Sequence, residues 1–160
     1  VVALALIAYG FLFTIIENYN LGSKSVKKVE DISYRKAFEI GVFQLFSLVP
    51  GTSRSGSTIM GGLLIGLERS VAAEFTFYLA IPVMIGASLL KLIKYIMRVG
   101  FVFDRNELLI LAVGCIVAFI VSIIVIRFLM SYIKKHNFVP FGYYRIVLGI
   151  LVLLYFEILK

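Results

Sequence analysis

Three apolar runs limit what this chain can become: Val71–Met97, Leu108–Met130 and Phe141–Leu159. Each reaches the about 20 mostly apolar residues that a helix needs to cross the hydrocarbon core of a bilayer. The chain is 61% hydrophobic, with a mean hydropathy of +1.03, against roughly 45–50% apolar residues in soluble domains. It therefore reads as an all-α integral membrane protein, a polytopic helical bundle forming a single membrane domain over 1–160. Val1–Ile16 reads as the end of another span. Because the chain opens inside that run, with no initiator Met and no signal-peptide pattern, a chain lacking its N-terminal part is expected. Residues 17–36, "ENYNLGSKSVKKVEDISYRK", have the Gly-Ser and charge content of a solvated loop.

The segment 37–69 breaks the pattern. Its apolar arms lie within Ala37–Leu67: "AFEIGVFQLFSLV" has 13 residues and "TIMGGLLIGL" has 10. At a rise of about 1.5 Å per residue, neither crosses a core about 30 Å thick. Two half-helices meeting at a polar tip, a re-entrant helix-loop-helix hairpin, fit better. Irregular backbone at membrane depth is tolerated where it is buried in protein or lines a wet cavity. Pro50 should end the first arm and hold Val49 out of the helical region. Ser57 or Thr58 should cap the second arm, with Gly61, Gly62 and Gly66 offering close helix packing.

The formal net charge of +7 does not point to nucleic acid, because the basic residues cluster between the apolar runs, as in "KSVKK" and "YIKKH". If the hairpin returns to the face it left, Lys24, Lys27, Lys28, Arg35, Lys36, Arg69, Arg127, Lys134 and Lys135 share one side. Lys91, Lys94, Arg98, Arg105 and Lys160 share the other. Nine against five, with Arg54 and Arg145 completing the 16 basic residues, places the 17–36 loop in the cytoplasm and the C-terminus outside. One histidine, His136, and one cysteine, Cys115, cannot build a His and Cys metal cluster; they read as an interfacial residue and a helix-packing residue.

The tip is "PGTSRSGSTIMGG", Pro50–Gly62. Arg54 at membrane depth costs at least about 2.5–3.5 kcal/mol, which calls for a partner or a wet cavity. Thr52, Ser53, Ser55, Ser57 and Thr58 surround it with hydroxyls, and a helix start points unpaired N–H groups back at it. Gly51 and Gly56 let backbone amides come close to a ligand. A guanidinium, hydroxyls and a helix N-terminus together suit a phosphate. The spacing Gly51…Gly56-Ser57-Thr58 approaches a nucleotide P-loop, but Ser57 stands where that motif needs lysine and no strand precedes it. The bland alternative is that the hydroxyls only re-satisfy broken backbone and Arg54 meets a carboxylate.

Elsewhere, Glu68 and Arg69 read as an interfacial pair, and Gln44 as either cavity-lining or helix-packing. Pro82 reads as a kink and Gly86–Ser88 as a tight packing patch. Arg145 reads as a snorkelling member of a belt with Tyr143 and Tyr144.

The stretch Pro50–Met84, with P-G-x-S-R-S-G-x-T, a glycine-rich half-helix and an A-I-P span, resembles the second signature region of the undecaprenyl-diphosphate phosphatase, or bacitracin-resistance, family. The resemblance implies a multi-pass enzyme of the bacterial plasma membrane. Its members hydrolyse a C55 polyprenyl diphosphate to the monophosphate and recycle the carrier for peptidoglycan. It also implies two inverted repeats, each with a re-entrant hairpin, and dependence on a divalent cation, Mg or Ca. This chain would then be the C-terminal portion of a member and inactive alone. The acidic metal ligands, the histidine and a nucleophilic serine would belong to the N-terminal repeat, and no metal ligand to this one. Carried over by position, Arg54 is the catalytic clamp, Ser53 and Thr58 line the phosphate site, and Ser55, Gly51 and Gly56 shape it. Ser57 occupies the variable position, and Gln44 falls where the first repeat carries a glutamate. The partners implied are the polyprenyl diphosphate and the bilayer, with no nucleic acid; a homodimer is compatible with such a chain. Two other functions fit a broken-helix anion site: a secondary transporter of an anionic substrate, and a membrane subunit in which the hairpin only packs.

Overall fold

The computed structural model describes residues 1–19, 21–22, 25–100 and 104–158. Among the described residues six α-helices follow one another: α1 Val2–Asn18, α2 Tyr34–Gln44, α3 Arg54–Ile65, α4 Arg69–Val99, α5 Arg105–Lys135 and α6 Val139–Ile158. Single 3-10 turns stand at Val29–Asp31 and Leu45–Leu48. Among the described residues the only strand-like pairing is one isolated parallel bridge, Val26 to Leu67. α4, α5 and α6 are long and apolar enough to cross a membrane and cover the three expected runs. Leu159, at the end of the third run, and Lys24 and Lys160 of the charge count lie outside the described residues.

The chain divides into two compact units, Val1–Phe77 with Ile133–Lys160, and Tyr78–Tyr132. In the first, α1 lies along α6, and α2 pairs with α3, which also touches α1. α1 runs through Asn18, so Glu17, expected at the start of the polar loop, is helical and buried. α2 begins at Tyr34 because Ser33 caps it, its Oγ accepting from the Lys36 N–H at 3.3 Å. On its exposed face Arg35 Nε donates to Glu39 Oε1 at 2.9 Å, a pair worth less than about 1 kcal/mol where water screens it.

The second unit contains the later part of α4, with Pro82 inside the helix, and the body of α5. Its leucines and isoleucines, among them Leu90, Ile110 and Ile124, point outward, as hydrocarbon would allow. Two expectations fail here. A Cβ added to Gly86 would meet nothing within 4 Å, so the small-residue patch packs against no neighbour in this unit. Cys115 is exposed rather than packed between helices.

The α2–α3 connection follows from its residues. α2 tightens into the 3-10 turn, and Val49 is extended at φ −75° and ψ 122°, as the following Pro50 requires. The Thr52 hydroxyl stands 2.8 Å from the Phe46 carbonyl oxygen and 2.7 Å from that of Val49, beside the Val49 N–H that donates to the first and the Thr52 N–H that donates to the second. Gly51 has φ +98°, and a Cβ there would sit 2.6 Å from the Val2 carbonyl oxygen. Gly51→Ala is therefore expected to lower stability by about 1–3 kcal/mol, seen as an earlier thermal transition in detergent micelles. An unchanged transition would mean that the tip has another conformation.

α3 starts a turn earlier than its sequence suggests. Ser53, not Ser57 or Thr58, is the N-cap: its backbone is extended, and its Oγ accepts from the Gly56 N–H at 3.1 Å. Nothing from Arg54 onward breaks a helix once Ser53 has capped it, so Ser57 and Thr58 fall inside α3. The C-terminal end adds a role for Gly66. Gly66 closes the helix in the left-handed conformation, φ 97° and ψ 25°, with the Leu67 N–H returning to the Gly62 carbonyl at 2.9 Å. Gly61 and Gly62 do serve packing, since a Cβ on Gly61 would sit 2.6 Å from Phe43 Cγ of α2, and one on Gly62 3.0 Å from Ala72 Cβ of α4.

Candidate functional site

The first turn of α3 gathers the polar residues of the tip. Arg54 opens the helix, and in such a position its own N–H and that of Ser55 have no carbonyl inside the helix to donate to. Ser53 Oγ lies 3.1 Å from Ser55 Oγ, so the two hydroxyls share one side of the turn. Ser53 and Arg54 are half-buried and Ser55 is exposed. Among the described residues the Arg54 guanidinium has no hydrogen bond or ion pair, so no described carboxylate neutralises it. An unpaired guanidinium, two hydroxyls and free helix N–H groups form an arrangement complementary to an oxyanion.

The other tip residues serve different neighbours. Gly51 lies against the Val2 backbone, and a Cβ on buried Gly56 would meet Ser53 Cβ at 3.1 Å and Phe13 at 3.4 Å. Thr58 is 1% exposed; its hydroxyl is within 3.2 Å of the Arg54 carbonyl oxygen and 3.1 Å of that of Ser55, and it accepts from Thr76 Oγ1 of α4 at 3.0 Å. Ser57, at the motif's variable position, is wholly buried, with Oγ 3.1 Å from the Ser53 carbonyl and 3.2 Å from the Tyr9 hydroxyl of α1. Gln44 is half-buried at the end of α2, where its carbonyl accepts from Ser47 Oγ at 2.6 Å. The structure thus brings Ser53, Arg54 and Ser55 to one open side, while Thr58 and Ser57 tie that turn to α4 and α1.

A divalent cation would need hard oxygen ligands, carboxylates above all. The described residues contain no group of three or more His, Cys, Asp or Glu that could hold a metal, and the tip offers hydroxyls and a cation instead. That donor set fits an anion and does not fit a metal ion.

A second polar network lies elsewhere and pairs residues the sequence does not connect. Arg69, expected beside Glu68, donates from Nε to both carboxylate oxygens of Glu17, at 3.0 and 2.8 Å, and from Nη2 at 2.6 Å. Glu17 also accepts from the Phe138 N–H, at 3.2 Å, at the start of α6. One carboxylate thus joins the C-terminal end of α1 to the N-terminal ends of α4 and α6. A cavity of about 370 Å³ opens beside Arg69, lined by Lys27, Glu68, Ser70, Ile133 and Lys134 as well. Arg145 also departs from expectation: Tyr143 and Tyr144 are exposed as a belt requires, but Arg145 Nη1 is buried with no hydrogen-bond partner among the described residues.

Comparison with known proteins places these features in a family. The chain is 60% identical over 158 residues to the undecaprenyl-diphosphatase of Desulfitobacterium hafniense, covering 98% of this chain and 55% of that protein. It is 59% identical over 156 residues to the protein of the same name from Lachnoclostridium phytofermentans, covering 97% and 56%. For that of Enterococcus faecalis the identity is 60% over 155 residues, covering 96% and 55%. The chain therefore spans about half the length of the relatives it matches. All three carry a hydrolase's name, and a transporter reading draws no support from them. The family described as bacitracin resistance protein BacA matches residues 1–151, the tip and five of the six helices in full. Extent and identity agree, and the chain belongs to the bacitracin resistance protein BacA family.

Proposed function

We propose that this chain forms the phosphate-binding part of an undecaprenyl-diphosphate phosphatase of the bacterial plasma membrane. The whole enzyme would cleave the terminal phosphate from the C55 polyprenyl diphosphate, recycle the lipid carrier for peptidoglycan synthesis and confer bacitracin resistance. The observation that carries the reading is the unpaired Arg54 guanidinium on the first turn of α3. Arg54 clamps two phosphoryl oxygens, and the Ser53 and Ser55 hydroxyls with the free N–H groups bind the rest of the anion. Gly51 and Gly56 shape the loop. Thr58, bonded to the Arg54 and Ser55 carbonyls and to Thr76, holds the turn in register. Gln44 would border the same space. The Mg or Ca ion that the resemblance implies would take its carboxylates from the rest of the whole protein, and no step here is routed through it.

In this reading α2, the tip and α3 form a re-entrant hairpin over 37–69, one half of an inverted-repeat architecture, between a span ending near residue 16, a polar loop over 17–36 and spans at 71–97, 108–130 and 141–159. A homodimer is part of the same proposal. The complete protein, reconstituted in liposomes with a polyprenyl diphosphate, is expected to release phosphate. Substrate that crosses the bilayer with its diphosphate intact would overturn the hydrolase reading. For the hairpin, cysteines at Tyr34 and Ser70 are expected to label from the same side of the membrane, and one at Thr52 slowly. Rapid labelling of Thr52→Cys from the opposite side would mean two short complete spans.

A further inference from the structure

The first turn of α3 is held from behind by hydroxyls, and the planarity of the peptide bond carries that hold to the front. In a trans peptide the C=O and the N–H of the next residue share one plane and point in opposite directions. Fixing the Ser53 carbonyl therefore aims the Arg54 N–H, and fixing the Arg54 carbonyl aims the Ser55 N–H. These are the two N–H groups that have no carbonyl inside the helix to donate to. The Ser55 carbonyl is coupled in the same way to the Gly56 N–H, which donates to the Ser53 cap.

Each of these carbonyls has a hydroxyl against it. Ser57 Oγ lies 3.1 Å from the Ser53 carbonyl oxygen, and Thr58 Oγ1 lies 3.2 Å from that of Arg54 and 3.1 Å from that of Ser55. Serine and threonine inside a helix often bond back to their own turn in this way. Here both hydroxyls are also gripped from other helices: the Tyr9 hydroxyl of α1 stands 3.2 Å from Ser57 Oγ, and Thr76 Oγ1 of α4 donates to Thr58 Oγ1 at 3.0 Å. Ser57, Thr58 and Thr76 are buried, so bulk water does not compete for these bonds. Resting on the phosphate-site reading above, we propose that Tyr9 and Thr76 are positioning residues of that site. Through Ser57 and Thr58 they fix the peptide planes whose N–H groups, together with the Arg54 side chain, meet the anion. Donors held in place in this way cost no reorganisation when charge develops on the phosphoryl oxygens.

The test uses the complete protein in detergent, with phosphate release from polyprenyl diphosphate and calorimetric titration with inorganic pyrophosphate as readouts. Thr76→Val keeps the branched shape and removes the hydroxyl. It is expected to lower kcat about tenfold at temperatures well below its thermal transition, short of the 10²-fold that a misplacement of about 1 Å can cost. Thr76→Ser, which keeps the hydroxyl, should recover most of the loss. Tyr9→Phe, which keeps the ring, should lower kcat several-fold and serves if Thr76→Val does not fold. A packing role alone would lower the thermal transitions and leave the folded molecules with the unaltered kcat, and that result would overturn the proposal. So would a loss in Thr76→Val that Thr76→Ser does not recover. In the Arg54→Ala background Thr76→Val should weaken pyrophosphate binding by a smaller factor than in the unaltered protein, because both act through one turn; equal factors in the two backgrounds would place its effect outside the turn and overturn the proposal as well. The Arg54→Ala variant by itself tests the underlying reading, since pyrophosphate affinity unchanged there would remove the phosphate site whatever the Thr76 and Tyr9 variants do.

Discussion

Arg54→Lys in the complete protein is expected to lower phosphate release from polyprenyl diphosphate by about 10²–10³-fold, or about 2.7–4 kcal/mol of barrier, the effect of removing one donor from an oxyanion site. The reason lies in the shape of the group. Guanidinium offers two parallel N–H donors to two phosphoryl oxygens and keeps its charge in a dry site. Lysine offers one point charge and loses its proton more readily when buried. Arg54→Ala should be at least as damaging. Neither substitution should disturb the fold, because the Arg54 side chain has no partner among the described residues, and its helix is held by the Ser53 cap and by Thr58. A loss of turnover with membrane insertion and thermal stability retained supports the clamp. Near-normal phosphate release from a well-folded Arg54→Ala protein would remove Arg54 from the site.

What the sequence discloses and what it conceals divide by range. The spans of α4, α5 and α6 follow from run length alone, and Pro50 sets the extended Val49 beside it. These are properties of a residue and its nearest neighbours. The cap of α3 is harder, because Ser53, Ser55, Ser57 and Thr58 are all competent caps by composition. The choice falls to Ser53 because Gly51 and Thr52 have already turned the chain there. Gly66 could have been read as a helix stop from the polar Glu68-Arg69 that follows, since glycine just past the last apolar position is a common C-terminal signal. The pairing of Glu17 with Arg69 leaves no such trace. The two residues are 52 apart in sequence, and only the packing of α1, α4 and α6 brings them together. For the same reason Arg145 resembles any interfacial arginine until α6 is laid on α1.

That long-range pair gives the second large expected effect. The Glu17 side chain is 3% exposed and that of Arg69 30%, so the carboxylate is the more deeply committed partner. Arg69→Met would leave Glu17 buried with the Phe138 N–H as its remaining donor among the described residues, and an uncompensated charge in such a place costs about 3–5 kcal/mol. The loss should appear as a marked fall in the thermal transition of the protein in detergent micelles. Replacing both partners removes the stranded charge, so Glu17→Gln with Arg69→Met should be more stable than Arg69→Met alone. The glutamine oxygen can still accept from Phe138 N–H, although it no longer places a negative charge near the start of α6. The order of stabilities is the diagnostic. If Arg69→Met melts with the unaltered protein, Glu17 is not dependent on Arg69, and the three helix ends are held by packing alone. If the double variant is the least stable of the three, the ion pair contributes more than the relief of a stranded carboxylate, and its attraction outweighs its desolvation.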